Sequence, residues 1–134
     1  MRVHGGCHCG AIRFEAVIDP AATSICHCTD CQTLSGTAFR VNVPAKAADF
    51  RLLQGEPKEY VKTGDSGRGR AQAFCGNCGC QLYATDAEGP REVFMLRLGA
   101  IAERAELIPK RQIWRRSALP WLGDWPDLPA RQQG

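Results

Sequence analysis

No long hydrophobic run interrupts this sequence. Its most apolar stretch, Val93 to Ala102, is broken by Arg97 and is too short to cross a bilayer, and the opening residues Met1-Arg2-Val3-His4-Gly5-Gly6 carry no apolar core of an export signal. The expectation is a cytoplasmic protein, neither secreted nor inserted in a membrane. Helix signals are equally scarce, since only Asp30 to Leu34 and Ala100 to Leu107 could hold a turn or two at helical spacing. Charge of one sign is nearly absent too: 17 Lys and Arg against 14 Asp and Glu leave a formal +3, too little to argue for nucleic acid. There is no repeat of fixed period. At 134 residues the chain has room for one core, so residues 1–134 read as a single domain.

Cysteine, in contrast, is abundant. A chain with eight cysteines and no export signal is expected in a reducing compartment, where disulfides are disfavoured and thiolates stay free for metal. They fall in three clusters: Cys7-His8-Cys9, Cys26-His27-Cys28-Thr29-Asp30-Cys31, and Cys75-Gly76-Asn77-Cys78-Gly79-Cys80. Strand-like segments lie between them. Ala11 to Ile18 and Ala38 to Val43 alternate apolar and polar residues, the second ending at Pro44, while Lys58 to Thr63 and Arg70 to Phe74 flank the turn cluster Gly64-Asp65-Ser66-Gly67 as a hairpin. Gln81 to Thr85 and Glu92 to Leu98 add two more. The fold class is mainly β with little helix, six or seven short strands, and an irregular Trp- and Pro-rich tail from about residue 117 with Trp121 and Trp125 as anchors.

Four sulfurs around zinc, each at about 2.3 Å, must approach one another to about 4 Å, which forces a tight backbone turn beneath them. Cys75-Gly76-Asn77-Cys78-Gly79 has the spacing and the glycines of such a knuckle, and Gly5-Gly6-Cys7-His8-Cys9-Gly10 has the same bracketing. Cys7, Cys9, Cys75 and Cys78 are therefore expected to form one closed structural zinc site that compensates for a small core. Cys26, Cys28 and Cys31 supply three thiolates with no fourth ligand adjacent, the pattern of a catalytic zinc with an open position. In a sulfur-rich site the natural extra ligand is a small thiol, held as a nucleophile for attack on a small electrophile.

These residues resemble the glutathione-dependent formaldehyde-activating enzyme family. The resemblance rests on Gly6-Cys7-His8-Cys9-Gly10, on Cys26-His27-Cys28-Thr29-Asp30-Cys31-Gln32 with Ser35-Gly36-Thr37-Ala38-Phe39, and on Phe74-Cys75-Gly76-Asn77-Cys78-Gly79. It extends to Ser117-Ala118-Leu119-Pro120-Trp121 and so covers almost the whole chain. It implies a β-tent-like fold of antiparallel sheets and two Zn²⁺ per chain, structural at Cys7, Cys9, Cys75 and Cys78 and catalytic at Cys26, Cys28 and Cys31. The implied reaction joins glutathione to formaldehyde as S-hydroxymethylglutathione, a carbon–sulfur lyase reaction in reverse. Two positions depart from the family pattern: Gln112-Ile113-Trp114 stands where a histidine is common, and Cys80 where a small hydroxyl residue is common.

The competing reading is a non-catalytic, zinc-stabilised binding module for a protein, a small ligand or nucleic acid. Lys110, Arg111, Arg115 and Arg116 around Trp114 would serve the last of these by phosphate pairing and stacking, although an exposed basic strand explains them as well. His8 and His27 are read as supporting or solvent-facing residues ahead of ligands, His4 has no assigned role, Cys80 reads as a small core residue ahead of a further ligand, and Arg68 and Arg70 read as a solvated loop ahead of a site for substrate carboxylates.

Overall fold

The computed structural model describes the whole chain, Met1–Gly134. Ten strands and one short helix follow in the order β1 (Arg2–Gly6), β2 (Arg13–Val17), β3 (Ser24–Cys26), α1 (Thr29–Ser35), β4 (Arg40–Lys46), β5 (Phe50–Gln54), β6 (Lys58–Thr63), β7 (Gly69–Phe74), β8 (Gln81–Asp86), β9 (Val93–Arg97) and β10 (Arg111–Ile113). They form a three-stranded sheet, β1-β2-β5, and a seven-stranded sheet, β10-β3-β4-β9-β8-β7-β6. All pairings are antiparallel except β10 with β3, which is parallel. No helix is long and apolar enough to cross a membrane.

The core lies between the sheets. Val3, Phe14 and Ala16 from the small sheet meet Val43, Ala45, Ala73, Leu82, Tyr83 and Leu96 from the large one, with Ile101 and Leu107 closing the end. An aromatic group packs against the core from its edge: half-buried Phe50 stacks on half-buried Phe94 with ring centroids 4.5 Å apart, and buried Tyr83 stands edge-on to both at 5.2 Å. Because strand side chains alternate, β4 sends Val43 and Ala45 into this core and Arg40 and Asn42 to the opposite face. That second face is polar but not open to water, since Arg40, Asn42, Gln72 and Arg97 are all buried there.

Several expectations are refined. β4 runs through Pro44 to Lys46 because β3 pairs only with Arg40 to Asn42, so Pro44 faces a partner on one side alone and its missing N–H breaks no ladder bond on the other. Four strands, β1, β3, β5 and β10, add to the six read as alternating runs. The segment 100–107 holds one 3₁₀ turn, Arg104–Glu106, and follows another, Leu98–Ala100, instead of forming an α-turn. Trp121 and Trp125 are 50% and 56% exposed, weak anchors at best, and beyond Ser117 the tail carries turns and one 3₁₀ turn, Trp125–Asp127.

Candidate metal centres

The first cysteine cluster joins two similar turns. Cys7 N–H donates to Ile12 O at 3.1 Å and Gly10 N–H to Cys7 O at 3.2 Å, while Cys75 N–H donates to Cys80 O at 3.0 Å and Gly79 N–H to Cys75 O at 2.8 Å. Gly10 and Gly79 sit at φ 84° and 75°, a backbone region a side chain would disfavour, so each turn needs its glycine. The turns face each other. Cys7 and Cys9 Sγ are 3.5 Å apart, Cys9 and Cys75 Sγ are 3.7 Å apart, and all four sulfurs of Cys7, Cys9, Cys75 and Cys78 lie within 4.8 Å of one another. These separations suit four ligands on one ion and are far beyond a disulfide bond of about 2.05 Å. Backbone N–H groups also turn toward the sulfurs: Ile12 N–H lies 3.2 Å from Cys7 Sγ. The Asn77 side chain and then the Ala11 N–H hold the Cys9 thiol below its ordinary value, and the N–H groups of Cys9 and Cys80 do the same for Cys78. Such donors favour thiolates, the form a metal binds. Cys7 and Cys75 are buried members of the hydrophobic core, so this group is built into the join between the two sheets.

The second group is local in sequence. Cys26 ends β3, Cys28 caps α1 with its Sγ accepting the Cys31 N–H at 3.2 Å, and Cys31 lies in the first turn of that helix. The three sulfurs are mutually within 4.8 Å, and no fourth Cys, His, Asp or Glu joins them. The neighbouring Cys26 side chain pushes the Cys31 thiol well up, with burial adding to it, and the Cys31 side chain draws the Cys26 thiol down against burial. Gly36, at φ 70°, ends the helix in a left-handed cap, with its N–H on Gln32 O; that cap, and not approach of a ligand, is why glycine is required there. The chemistry of both donor sets fits a thiophilic metal ion, and each group could hold one.

Around the three cysteines the chain is clamped from its far end. Gln32 Nε2 donates to His27 O at 2.8 Å and to Ser117 O at 3.0 Å, and the His27 N–H donates to Ile113 O at 3.1 Å. His27 Nε2 donates to Gln112 Oε1 at 2.7 Å, since an amide oxygen can only accept, which turns this ring toward β10. Gln112 therefore orients His27 from a distance of 85 residues in sequence. His27 Nδ1 is buried without a partner.

The remaining candidates fall elsewhere. Cys80 stands outside the four-sulfur group, half-buried, its thiol pushed up by burial and directed at Gln81 O at 3.6 Å. Arg68 and Arg70 both pair with Asp86, at 3.3 and 2.8 Å, so they are internally satisfied. His4, unassigned from sequence, binds Glu103 twice, through its N–H and its ring Nδ1, each at 2.9 Å. Arg116 lies 5.0 Å from the Trp114 ring centroid, and β10 is an exposed strand. Two residues not anticipated are Arg40 and Arg97, buried beside the three-cysteine group. Burial first, and then the neighbouring Arg40 charge, pushes the Arg97 guanidinium down to about 9.

Comparison with known proteins agrees with this geometry. The family described as glutathione-dependent formaldehyde-activating enzyme matches residues 2–117. A Halomonas elongata protein, provisionally named a glutathione-dependent formaldehyde-activating enzyme, is 26% identical over 143 aligned residues, covering 99% of this chain and 85% of its own. The crystal structure of a Rhodobacter sphaeroides protein superposes with a TM-score of 0.62 at 19% identity, covering 81% of this chain and 98% of that one, and so shares the fold.

Proposed function

The chain belongs to the glutathione-dependent formaldehyde-activating enzyme family, and on that footing we propose that it is a cytoplasmic carbon–sulfur lyase-type enzyme that interconverts glutathione plus formaldehyde and S-hydroxymethylglutathione. Zinc is the metal the donor sets favour, held by Cys7, Cys9, Cys75 and Cys78 as a structural ion and by Cys26, Cys28 and Cys31 as a catalytic one. When bound at the second group, zinc supplies a soft cation with one position free for an incoming sulfur and lowers the pKa of the thiol that enters it.

The chain's own part is positioning. The Cys31 amide, by donating to Cys28 Sγ, fixes the sulfur that begins the helix. Gln32 ties the His27 carbonyl to Ser117, and Gln112 holds the His27 ring, so the loop carrying all three cysteines is braced on both sides. A cavity of about 670 Å³ reaches the neighbourhood of this loop between Leu34, Ser35 and Phe39 on one side and Gly79 to Gln81 on the other, enough for part of a tripeptide. In the reaction the substrate sulfur loses its proton and forms a bond to the carbonyl carbon, and the former carbonyl oxygen takes up a proton. Atoms and charge balance without an oxidant or a further substrate.

The observation that carries this reading is the contrast between four converging sulfurs in one group and three in the other, with no fourth chelating side chain. The test is two-dimensional exchange NMR with ¹³C-formaldehyde and glutathione. The expected result is exchange between free and glutathione-bound carbon that the zinc-loaded protein accelerates and its Cys31→Ala variant does not. Exchange no faster than in buffer, together with two zinc ions per chain, would establish the binding-module reading instead.

A further inference from the structure

Buried cations without anions are rare in folded proteins, because the charge has left water and gained nothing in return. This chain has two of them together. Arg40 and Arg97 are 4% and 8% exposed, and neither takes part in any of the structure's ion pairs. Arg97 spends Nη1 on Asn42 Oδ1 at 2.6 Å and Nη2 on Gln72 Oε1 at 2.5 Å, both neutral acceptors, and its Nε has no partner. Arg40 Nε and Nη2 have none either. Asp86 is engaged with Arg68 and Arg70, and Asp30 with Lys62 at 2.8 Å.

What faces these cations is sulfur. The β3–β4 register sets Arg40 directly across from Cys26, and cross-strand partners project to the same side of a sheet. Asn42, two residues on, is across from Arg97. Arg97 joins the same face through Asn42, whose Oδ1 accepts from its Nη1. Both arginines also border the cavity described above. Three thiolates on a divalent ion carry one net negative charge, so with a neutral fourth ligand the two guanidiniums leave the buried site positive. A fourth thiolate brings it to balance.

We infer that Arg40 and Arg97 are specificity-determining residues of the three-cysteine site: a buried counter-charge pair that makes its fourth ligand an anionic sulfur in preference to water or a neutral imidazole. The inference rests on the thiol chemistry proposed above and adds the groups that select for it. The incoming thiol gives its proton to solvent and its sulfur enters as the thiolate, so no other reactant is needed. It also accounts for a costly arrangement that packing does not require, since unfavourable groups persist where function uses them.

The experiment is titration of the cobalt-loaded protein with glutathione, with 2-mercaptoethanol and with imidazole, followed by the visible spectrum and by calorimetry in buffers of different ionisation enthalpy. Arg40→Met and Arg97→Met are expected to weaken both thiols by about tenfold or more, the scale of one charge interaction in a poorly solvated site, while imidazole affinity stays within about threefold. Arg40→Lys and Arg97→Lys, which keep the charge, should stay near wild type for all three ligands. Arg40→Met is the safer variant for folding, because a buried charge replaced by an apolar side chain of similar size is commonly neutral or stabilising. Thermal melting of its cobalt form without thiol should accordingly be no lower than wild type. Thiols binding the Met variants as tightly as wild type would overturn the inference and leave the thiol chemistry standing. Loss confined to glutathione would overturn it in favour of a carboxylate subsite, and Lys variants as defective as Met would make the role structural. A wild-type protein that binds neither thiol would overturn the proposed function and this inference with it.

Discussion

The four-cysteine group joins residues 66 positions apart across two turns, whereas the three-cysteine group draws all its sulfurs from one strand end and the first turn of one helix. In the first group Cys7 and Cys75 belong to the hydrophobic core with Val3, Phe14 and Leu82, while Cys9 and Cys78 are exposed. The second lies on the polar reverse of the large sheet, beside two unpaired arginines. Closing a long loop constrains the unfolded chain more than closing a short one, so on the proposed assignment an ion in the first group is expected to hold the fold and an ion in the second to hold little beyond itself. On the proposed assignment the same donor atom serves stability or chemistry according to how much chain it closes and which face of the sheet it occupies.

The sharpest way to break this comparison is to remove one ligand from each group. Metal-coupled folding is comparable with the whole stability of a domain this size, so Cys78→Ala should abolish the cooperative unfolding transition seen by circular dichroism. Cys28→Ala should keep the β spectrum, lose one metal by elemental analysis, and cost about 1 kcal/mol for the helix cap it also provides. Two variants with the same degree of unfolding would erase the distinction.

Next in size is the order of metal loss. An ion whose positions are all filled by protein leaves slowly, while one with a position open to outside ligands exchanges through that opening. A colorimetric chelator should therefore remove one zinc quickly with the fold retained and the second only as the dichroism signal collapses. Simultaneous release of both would contradict the assignment of open and closed sites.

Much of this was legible in the sequence, and the limits have physical causes. The cysteine clusters declared themselves because a knuckle is local: Cys75, Cys78 and Gly79 define a turn whatever surrounds it. The strands with clean alternation, such as Lys58 to Thr63, were equally plain. β3 and β10 were not, since three-residue strands carry no period and exist only through their partners. Arg40 and Asn42 alternate with Val41 and Val43 as a polar face should, which suggested solvent; only the tertiary fold shows that this face is buried. Arg97 interrupts the most apolar stretch, and that interruption was the one available hint that a charge had been placed inside.

A smaller effect probes the brace on the open site. Gln32→Ala removes the bonds to His27 O and Ser117 O and leaves both carbonyls to find water, at a cost of about 1–2 kcal/mol. Amide exchange should quicken in α1 and at His27, and the four-cysteine group should keep its metal unchanged. Exchange that quickens equally around Cys7 and Cys75 would mean the two regions are one cooperative unit after all.

The smallest effect separates the cysteines from the ordinary charges of the surface. Glu59 on β6 is held below the usual carboxylate range first by its hydrogen bonds to Arg91, with Oε2 2.9 Å from Nη2. Its side chain is 32% exposed, so solvent screening limits the pair to about 0.5 kcal/mol. A carboxyl depressed in the folded state is a weaker proton binder there than in the unfolded chain, so its contribution is complete above the unfolded value and fades only as pH falls through the folded one. Between pH 6 and 8 the difference in urea midpoint between wild type and Glu59→Gln should therefore be small and flat. Thiols, by contrast, must shed protons to bind metal, so the metal-loaded protein should gain stability with rising pH across that same interval in both backgrounds. If the gain shrinks in Glu59→Gln, the surface pair carries pH dependence that the comparison assigns to the cysteines.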